Sequence, residues 1–243
     1  MNPLNKIEKS MPEYIAAASE FLPGMPDGWD IVIREGHRNA YRIRVLPEGI
    51  LEVTAPCGAD IVPYLHHHEA WIKQQVEETV RIAKEGGANE DFFLLDGTYR
   101  TLTHGTTCEI GDRKVVYDSP IRFKEMLMSR LQSDVNERVN RGIPRIGRSP
   151  NRITIRMQRS RWASCSGRGN LNFNLTMLAL SPSLREYIVL HELVHLVVPN
   201  HSPGFWRLLE EFCPDCQHQK QELKRYHVLV KRNRVWNVLR TIP

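Results

Sequence analysis

Apolar and polar residues alternate through IVIREG after Trp29 and again through AYRIRVLPEGILEVTAP, the two-residue period of a half-buried β-strand. Pro47-Glu48-Gly49 interrupts the second run with turn-forming residues, so it predicts a hairpin. From Ile61 to Lys84 the period changes: Leu65, Trp71, Ile72, Val76, Val80 and Ile82 recur at helical spacing, and Gly86-Gly87 is expected to close that helix. Strand patterning returns in Phe92 to Thr101 and in Val115 to Tyr117, with Asp96-Gly97 and Gly111-Asp112 as turns.

Beyond Ser119 the pattern becomes helical. Ile121, Phe123, Met126, Leu127, Leu131 and Val135 lie along one face of a helix predicted over Ile121 to Val139 and ending near Arg141-Gly142. Two strands are expected at Arg152 to Gln158 and Asn170 to Leu178, joined by the polar, glycine-containing connection RSRWASCSGRG. Pro3, Pro12, Pro23 and Pro26 mark the first stretch as an arm rather than core. The organisation predicted is therefore an N-terminal arm over residues 1–27, a β-rich unit over 28–119 and a mixed α+β domain over 120–243.

The candidate chemistry lies in SPSLREYIVLHELVHLVVPNHSPGFW, from Ser181 to Trp206. Ser181 before Pro182 reads as a helix start, with Ser183 and Glu186 available as a capping box. His191 and His195 are four residues apart on that helix, so both imidazoles project from one side, about a turn apart. They can reach one ion. A catalytic zinc normally takes three protein ligands and keeps one position open. His201 is the third candidate: Pro199 stops the helix and Asn200 tolerates a left-handed turn, which lets the chain fold back. Glu192, next to His191, occupies the general-base position of a His-Glu-x-x-His helix. The bland alternative is a chance match on a polar helix face. It is disfavoured because IVLHELVHLVV is otherwise apolar, and burying two histidines and a carboxylate there without a partner is costly.

Composition adds limits. The chain has 243 residues, 41% hydrophobic and 25% charged, enough to bury a core without disulfides. No apolar run approaches the roughly 20 residues of a membrane-spanning helix, so no membrane partner is expected. MNPLNKIEKSMPEY lacks the apolar stretch of a signal peptide, and Cys57, Cys108, Cys165, Cys213 and Cys216 follow no disulfide framework; both features fit the cytoplasm. The net charge of +5 is mild, but Arg141, Arg145, Arg148, Arg152, Arg156, Arg159 and Arg161 bunch with no acid among them. A nucleic acid or nucleotide could dock on that stretch, or it is a solvated face. Cys213 and Cys216 form a single Cys-x-x-Cys, too few ligands for a second zinc site.

Three segments, RNAYRIRVLPEGILEVTAP, RWASCSGRGNLNFN and HELVHLVVPNHSPGFW, together resemble the YgjP-like metallopeptidase family, also called DUF45. The resemblance runs from about Trp29 to Leu223, and the family is itself similar to SprT-type and minigluzincin zinc proteases. It implies a zincin-like α+β catalytic domain behind a small β-rich N-terminal unit, with Zn2+ held by His191, His195 and His201 and Glu192 as base. Metzincins share the spacing from His195 to His201, but they carry glycine where Val198 stands, and no Met-turn is evident. Arg161 and Asn172, in the connection and strand before the metal helix, are the candidate substrate contacts, on an edge strand that could pair with an extended peptide. The expected activity is peptide-bond hydrolysis. The rivals are a metal-dependent nucleoside triphosphate phosphohydrolase, for which no phosphate-cradling glycine loop is present, and a protease guided to nucleic acid by the basic stretch.

Overall fold

The computed structural model describes residues 25–26, 29–36, 40–85 and 92–243. The expected arm, apart from Met25 and Pro26, and the Gly86-Gly87 helix end lie outside the described residues. The chain forms two compact units, Met1–Gly87 and Ala88–Pro243. The division falls before Phe92, ahead of the boundary expected at Ser119, because the strands that follow pack with the helices of the second unit.

In the first unit, strands β1 (Asp30–Gly36), β2 (Arg42–Leu46) and β3 (Ile50–Pro56) form a sheet in the order β1-β3-β2. β2 and β3 are the expected antiparallel hairpin, turned at Gly49 with φ 88°. β1 joins parallel to β3. Leu51, Val53 and Ala55 alternate with Glu52 and Thr54 and form the buried face, against which Leu65, Ile72 and Val76 pack. The single helix expected over Ile61 to Lys84 is two, α1 (Val62–His67) and α2 (Glu69–Glu85), separated at His68. Trp71, expected on the core face, is exposed.

Among the described residues, the second unit holds two small sheets and five α-helices. The first sheet has the order β4-β5-β7-β6, from β4 (Phe92–Leu95), β5 (Thr98–His104), β6 (Glu109–Ile110) and β7 (Lys114–Tyr117). The Asp96-Gly97 turn between β4 and β5 has φ of 52° and 83°, and Asp96 is the non-glycine residue with positive φ among the described residues. Its carboxylate is held by Arg100, Arg130 and Arg185, which secures that conformation.

Helix α3 (Pro120–Ile146) starts at Ser119, whose Oγ accepts the Arg122 amide, and ends at Gly147 in the left-handed region. Phe123, Leu127, Leu131, Val135 and Val139 form its buried stripe, whereas Ile121 is exposed. The helix runs beyond Arg141-Gly142, where it was expected to stop. Gly142 is a packing residue, not a terminator: a Cβ there would meet Leu193 Cδ1 at 2.4 Å.

The second sheet has the order β8-β10-β9, from β8 (Arg152–Arg156), β9 (Ala163–Cys165) and β10 (Asn170–Asn174). β10 runs parallel to β8 and antiparallel to β9. Two expectations are corrected here. The RSRWASCSGRG connection contains a strand, and the strand predicted to Leu178 ends at Asn174 and continues as a 3-10 helix over Leu175–Ala179. LTMLAL has no polar alternation and is buried throughout. Asn174 turns the chain by accepting the Thr176 amide, and its Nδ2 clamps the preceding loop through the carbonyls of Gln158 and Arg161.

Helix α4 (Pro182–Val194) is buried on nearly every side, as its all-round apolar pattern requires. Ser181 is the cap, accepting the Leu184 amide. No Ser183–Glu186 box forms, because the Glu186 carboxylate takes Arg138 and Arg141 instead. Helices α5 (Pro203–Phe212), α6 (Cys216–Arg232) and α7 (Arg234–Thr241) complete the unit. The C-terminal segment, given no role from sequence, is core: Trp236 Nε1 donates to Leu94 O at 2.9 Å and Asn233 Nδ2 to Phe92 O at 2.9 Å. Among the described residues no helix is long and apolar enough to cross a membrane.

Candidate metal centre

His191 lies in the last turn of α4 and His195 at its C-cap. The helix ends before Pro199 is reached, because Leu196 and Val197 tighten into bonds to Leu193 O and Val194 O, both 3.0 Å. Pro199 therefore follows a turn that has already left the helix. Asn200 is not left-handed; its Oδ1 accepts the Ser202 amide at 3.3 Å, and that local turn delivers His201 to the start of α5.

These two turns bring the three imidazoles together. His201 Nε2 is 3.0 Å from His191 Nε2 and 3.2 Å from His195 Nε2, and one ligand nitrogen from each ring lies within 4.8 Å of the others. His195 Nδ1 faces the Val198 carbonyl at 3.1 Å. A carbonyl can only accept, so Nδ1 carries the hydrogen and Nε2 presents its lone pair to the cluster. Burial lowers the His191 pKa to about 3, helped by the charges of His195, His201 and Lys220, and burial also lowers that of His195. Both rings are thus neutral near pH 7, the form a metal takes. Three converging imidazole nitrogens fit a tetrahedral divalent ion with one position left open.

Glu192 is buried, and its Oε2 has no hydrogen-bond partner. Burial pushes its carboxyl up to about 7, against the backbone amide of Cys165 and the charge of Arg161, which both lower it. A carboxyl that titrates near neutrality can both take and return a proton.

Of the two expected substrate contacts, Arg161 is exposed, and its charge acts on Glu192. Asn172 sits on the central strand, and its Oδ1 accepts the Thr154 hydroxyl of β8, on the flank away from β9. The structure thus brings Arg161 to the Glu192 side and engages Asn172 within the sheet. The basic stretch is also divided. Arg141 pairs with Glu137 and Glu186, Arg145 covers the Phe212 ring at 4.7 Å, and Arg148 donates to Leu196 O.

Sequence reasoning missed two elements of the site. One is the Cys165 amide on Glu192, which depends on β9 lying beside α4. The other is what Phe205 packs against. It is fully buried, and its ring lies 4.5–4.8 Å from all three imidazoles and forms the floor of the cluster. The signal was present in its position four residues after His201, one turn into α5. Trp206 stacks on His201 at 5.8 Å.

A cluster of imidazoles on and just after a buried helix, with a carboxylate beside them that has one orphaned oxygen, defines a metal-dependent hydrolase site. The chain belongs to the YgjP-like metallopeptidase domain family, whose model matches residues 39–226, and it is a peptidase. Two solved structures are similar over 37% of this chain at 24% identity and a TM-score of 0.34. One is the metallopeptidase zymogen abylysin of Pyrococcus abyssi, 90% of which is covered, and the other the metallopeptidase zymogen jannalysin of Methanocaldococcus jannaschii, 94% covered. No curated protein matches the chain.

Proposed function

We propose that the chain is a zinc metallopeptidase in which His191, His195 and His201 hold the ion and Glu192 carries the proton. The observation that carries this reading is the convergence of three imidazole nitrogens within 4.8 Å beside the orphaned Glu192 Oε2. Zinc, when bound, supplies a Lewis acid that polarises a carbonyl and makes water acidic enough to ionise near pH 7.

The chain's own residues do the rest. Glu192 Oε2 accepts the proton of the attacking water, and a carboxyl poised at about 7 returns it to the departing amine without a large penalty in either direction. The Cys165 amide holds the carboxylate in place. β9, at the edge of its sheet, presents the outward-facing backbone of Ala163 and the Cys165 carbonyl to an extended peptide, the Cys165 amide being taken by Glu192. Arg161 stands at that side as a substrate contact, while Asn172 works indirectly by tying β10 to β8 through Thr154. The zincin-like architecture is the one in which such a helix and edge strand face each other across a cleft. Free thiols at all described cysteines suit a reducing compartment such as the cytoplasm.

A nucleic-acid-guided variant of this reading rests on Arg152, Arg156, Arg159 and Arg161, for which no ion pair is found among the described residues. A steep fall of DNA affinity with salt is its signature.

The test is metal content and peptide cleavage together. The purified chain is expected to carry about one zinc, as a three-histidine site holds. Glu192→Gln should keep the zinc and lose activity by about 10²-fold or more, whereas His195→Ala should lose both. Unchanged cleavage by Glu192→Gln overturns the proton role, and a zinc-free protein that cleaves peptides overturns the metal role.

A further inference from the structure

A recess of about 520 Å³ opens beside His195. Its walls come from three places: the β9–β10 turn with Cys165 and Arg168, the turn after α4 with Val197, and the loop after α3 with Arg148 and Asn151. Two arginines line it and no acid does. Arg148 Nη1 donates to the carbonyl of Leu196, the residue that follows His195, so the guanidinium is tethered at the rim of the imidazole cluster. Asn151 Nδ2 donates to the Arg168 carbonyl and ties the two loops together. Among the described residues no acid pairs with Arg148 or Arg168, so the positive charge in the recess is uncompensated.

Two residues belong both to the recess and to the reaction site. His195 is one of the clustered imidazoles, and Cys165 ends the edge strand whose amide holds Glu192. A peptide paired along β9 therefore delivers the residue next to the cleaved bond into a pocket with two guanidinium groups. Guanidinium groups recognise carboxylates through paired, charge-assisted hydrogen bonds.

We infer that this recess is a subsite for a carboxylate of the substrate peptide, borne either by an acidic side chain beside the scissile bond or by the peptide's own C-terminus. The inference rests on the peptidase reading and names the substrate class for it. Both arginines are exposed, so solvent screens them and the preference is of moderate size.

The test uses zinc-loaded Glu192→Gln protein and fluorescent alanine-based peptides carrying one Glu or one Gln at each interior position in turn, each with a free or an amidated C-terminus. Anisotropy reads the binding, and kcat/KM of the wild type is measured on the same peptides. A carboxylate at one position is expected to bind about tenfold more tightly than its amide counterpart, with the ratio shrinking as salt rises. Arg148→Gln and Arg168→Gln should each reduce that ratio, and Arg113→Gln, an exposed charge in the β6–β7 turn, should not. A preference for Glu identifies the side chain as the source, and a preference only for the free C-terminus identifies a carboxypeptidase-like mode; either supports the subsite. Equal binding of all carboxylate and amide peptides overturns it, as does a preference that survives both arginine substitutions. Selective binding without any wild-type cleavage removes the peptidase reading alone. Cleavage without selectivity removes the subsite alone.

Discussion

Gly142 on α3 and Leu193 on α4 meet so closely that a Cβ added to the glycine would stand 2.4 Å from Leu193 Cδ1. Leu193 is fully buried, so any shift of its side chain disturbs the surrounding core, and it directly follows Glu192. Gly142→Ala should gain about 1 kcal/mol in helix propensity but lose roughly 1–3 kcal/mol to overpacking. The expected outcome is a lower midpoint in thermal unfolding, together with reduced peptidase activity as α4 is pushed off α3. A variant that melts above the wild type would show that the two helices can separate freely.

Phe205 supports the imidazoles from beneath. Phe205→Ala should cost about 3–5 kcal/mol in urea unfolding. Phe205→Leu should keep much of the stability yet weaken zinc affinity by about tenfold, because the rings lose the surface that orients them. Competition with a chromophoric chelator reads the affinity. Unaltered zinc binding in Phe205→Leu would limit the ring to core packing.

Arg185 joins two acids from distant segments, bonding Asp134 at 3.0 Å and Asp96 at 2.9 Å while buried itself. Arg185→Met should destabilise by about 3 kcal/mol, since it leaves both carboxylates short of a partner. Burial alone would raise the Asp134 pKa, but the hydrogen bonds and charges of Arg138 and Arg185 outweigh it and hold the carboxyl below its usual range. A depressed folded-state pKa contributes stability that is present above the unfolded value, about 4, and is lost as pH falls through the folded value. Urea unfolding followed from neutral to acid pH should therefore show a stability loss on the acid side that Asp134→Asn reduces.

Trp236 anchors the C-terminal helix to β4. Trp236→Ala should cost about 3–5 kcal/mol, and Trp236→Phe about 1 kcal/mol for the lost bond to Leu94 O. Truncation after Arg232, which removes α7 but leaves the imidazole cluster intact in sequence, should yield protein with little cooperative melting. Calorimetry of the truncated chain checks this; a normal transition would show that β4 needs no cover from α7.

The site was legible where local rules suffice. His191, Glu192 and His195 are readable because a helix of fixed pitch places them, and Ser181-Pro182 signals where that helix begins. The turn leading to His201 differs from the expected one: Pro199 does not end the helix, and Asn200 turns the chain through its side chain rather than through a left-handed backbone. A compact turn of that length brings the His201 imidazole back to His191 and His195 in either case. Asn172 and Arg161 are not distinguishable from sequence, since only strand neighbours decide that Asn172 bonds Thr154 within the sheet while the charge of Arg161 acts on Glu192.

What the sequence by itself determined, then, is whatever depends on a few consecutive residues: the β2–β3 hairpin through Pro47-Glu48-Gly49, the buried character of α4, and the four-residue spacing of His191 and His195 along it. Only the tertiary structure decided that β1 pairs parallel to β3, that Gly142 continues a helix instead of ending one, and that β9 lies where its Cys165 amide meets Glu192. The physical reason is range. Pitch, turn chemistry and side-chain periodicity act within a turn or two of chain, whereas a missing Cβ or an edge strand acquires meaning only from the residue that packs against it from a remote part of the chain.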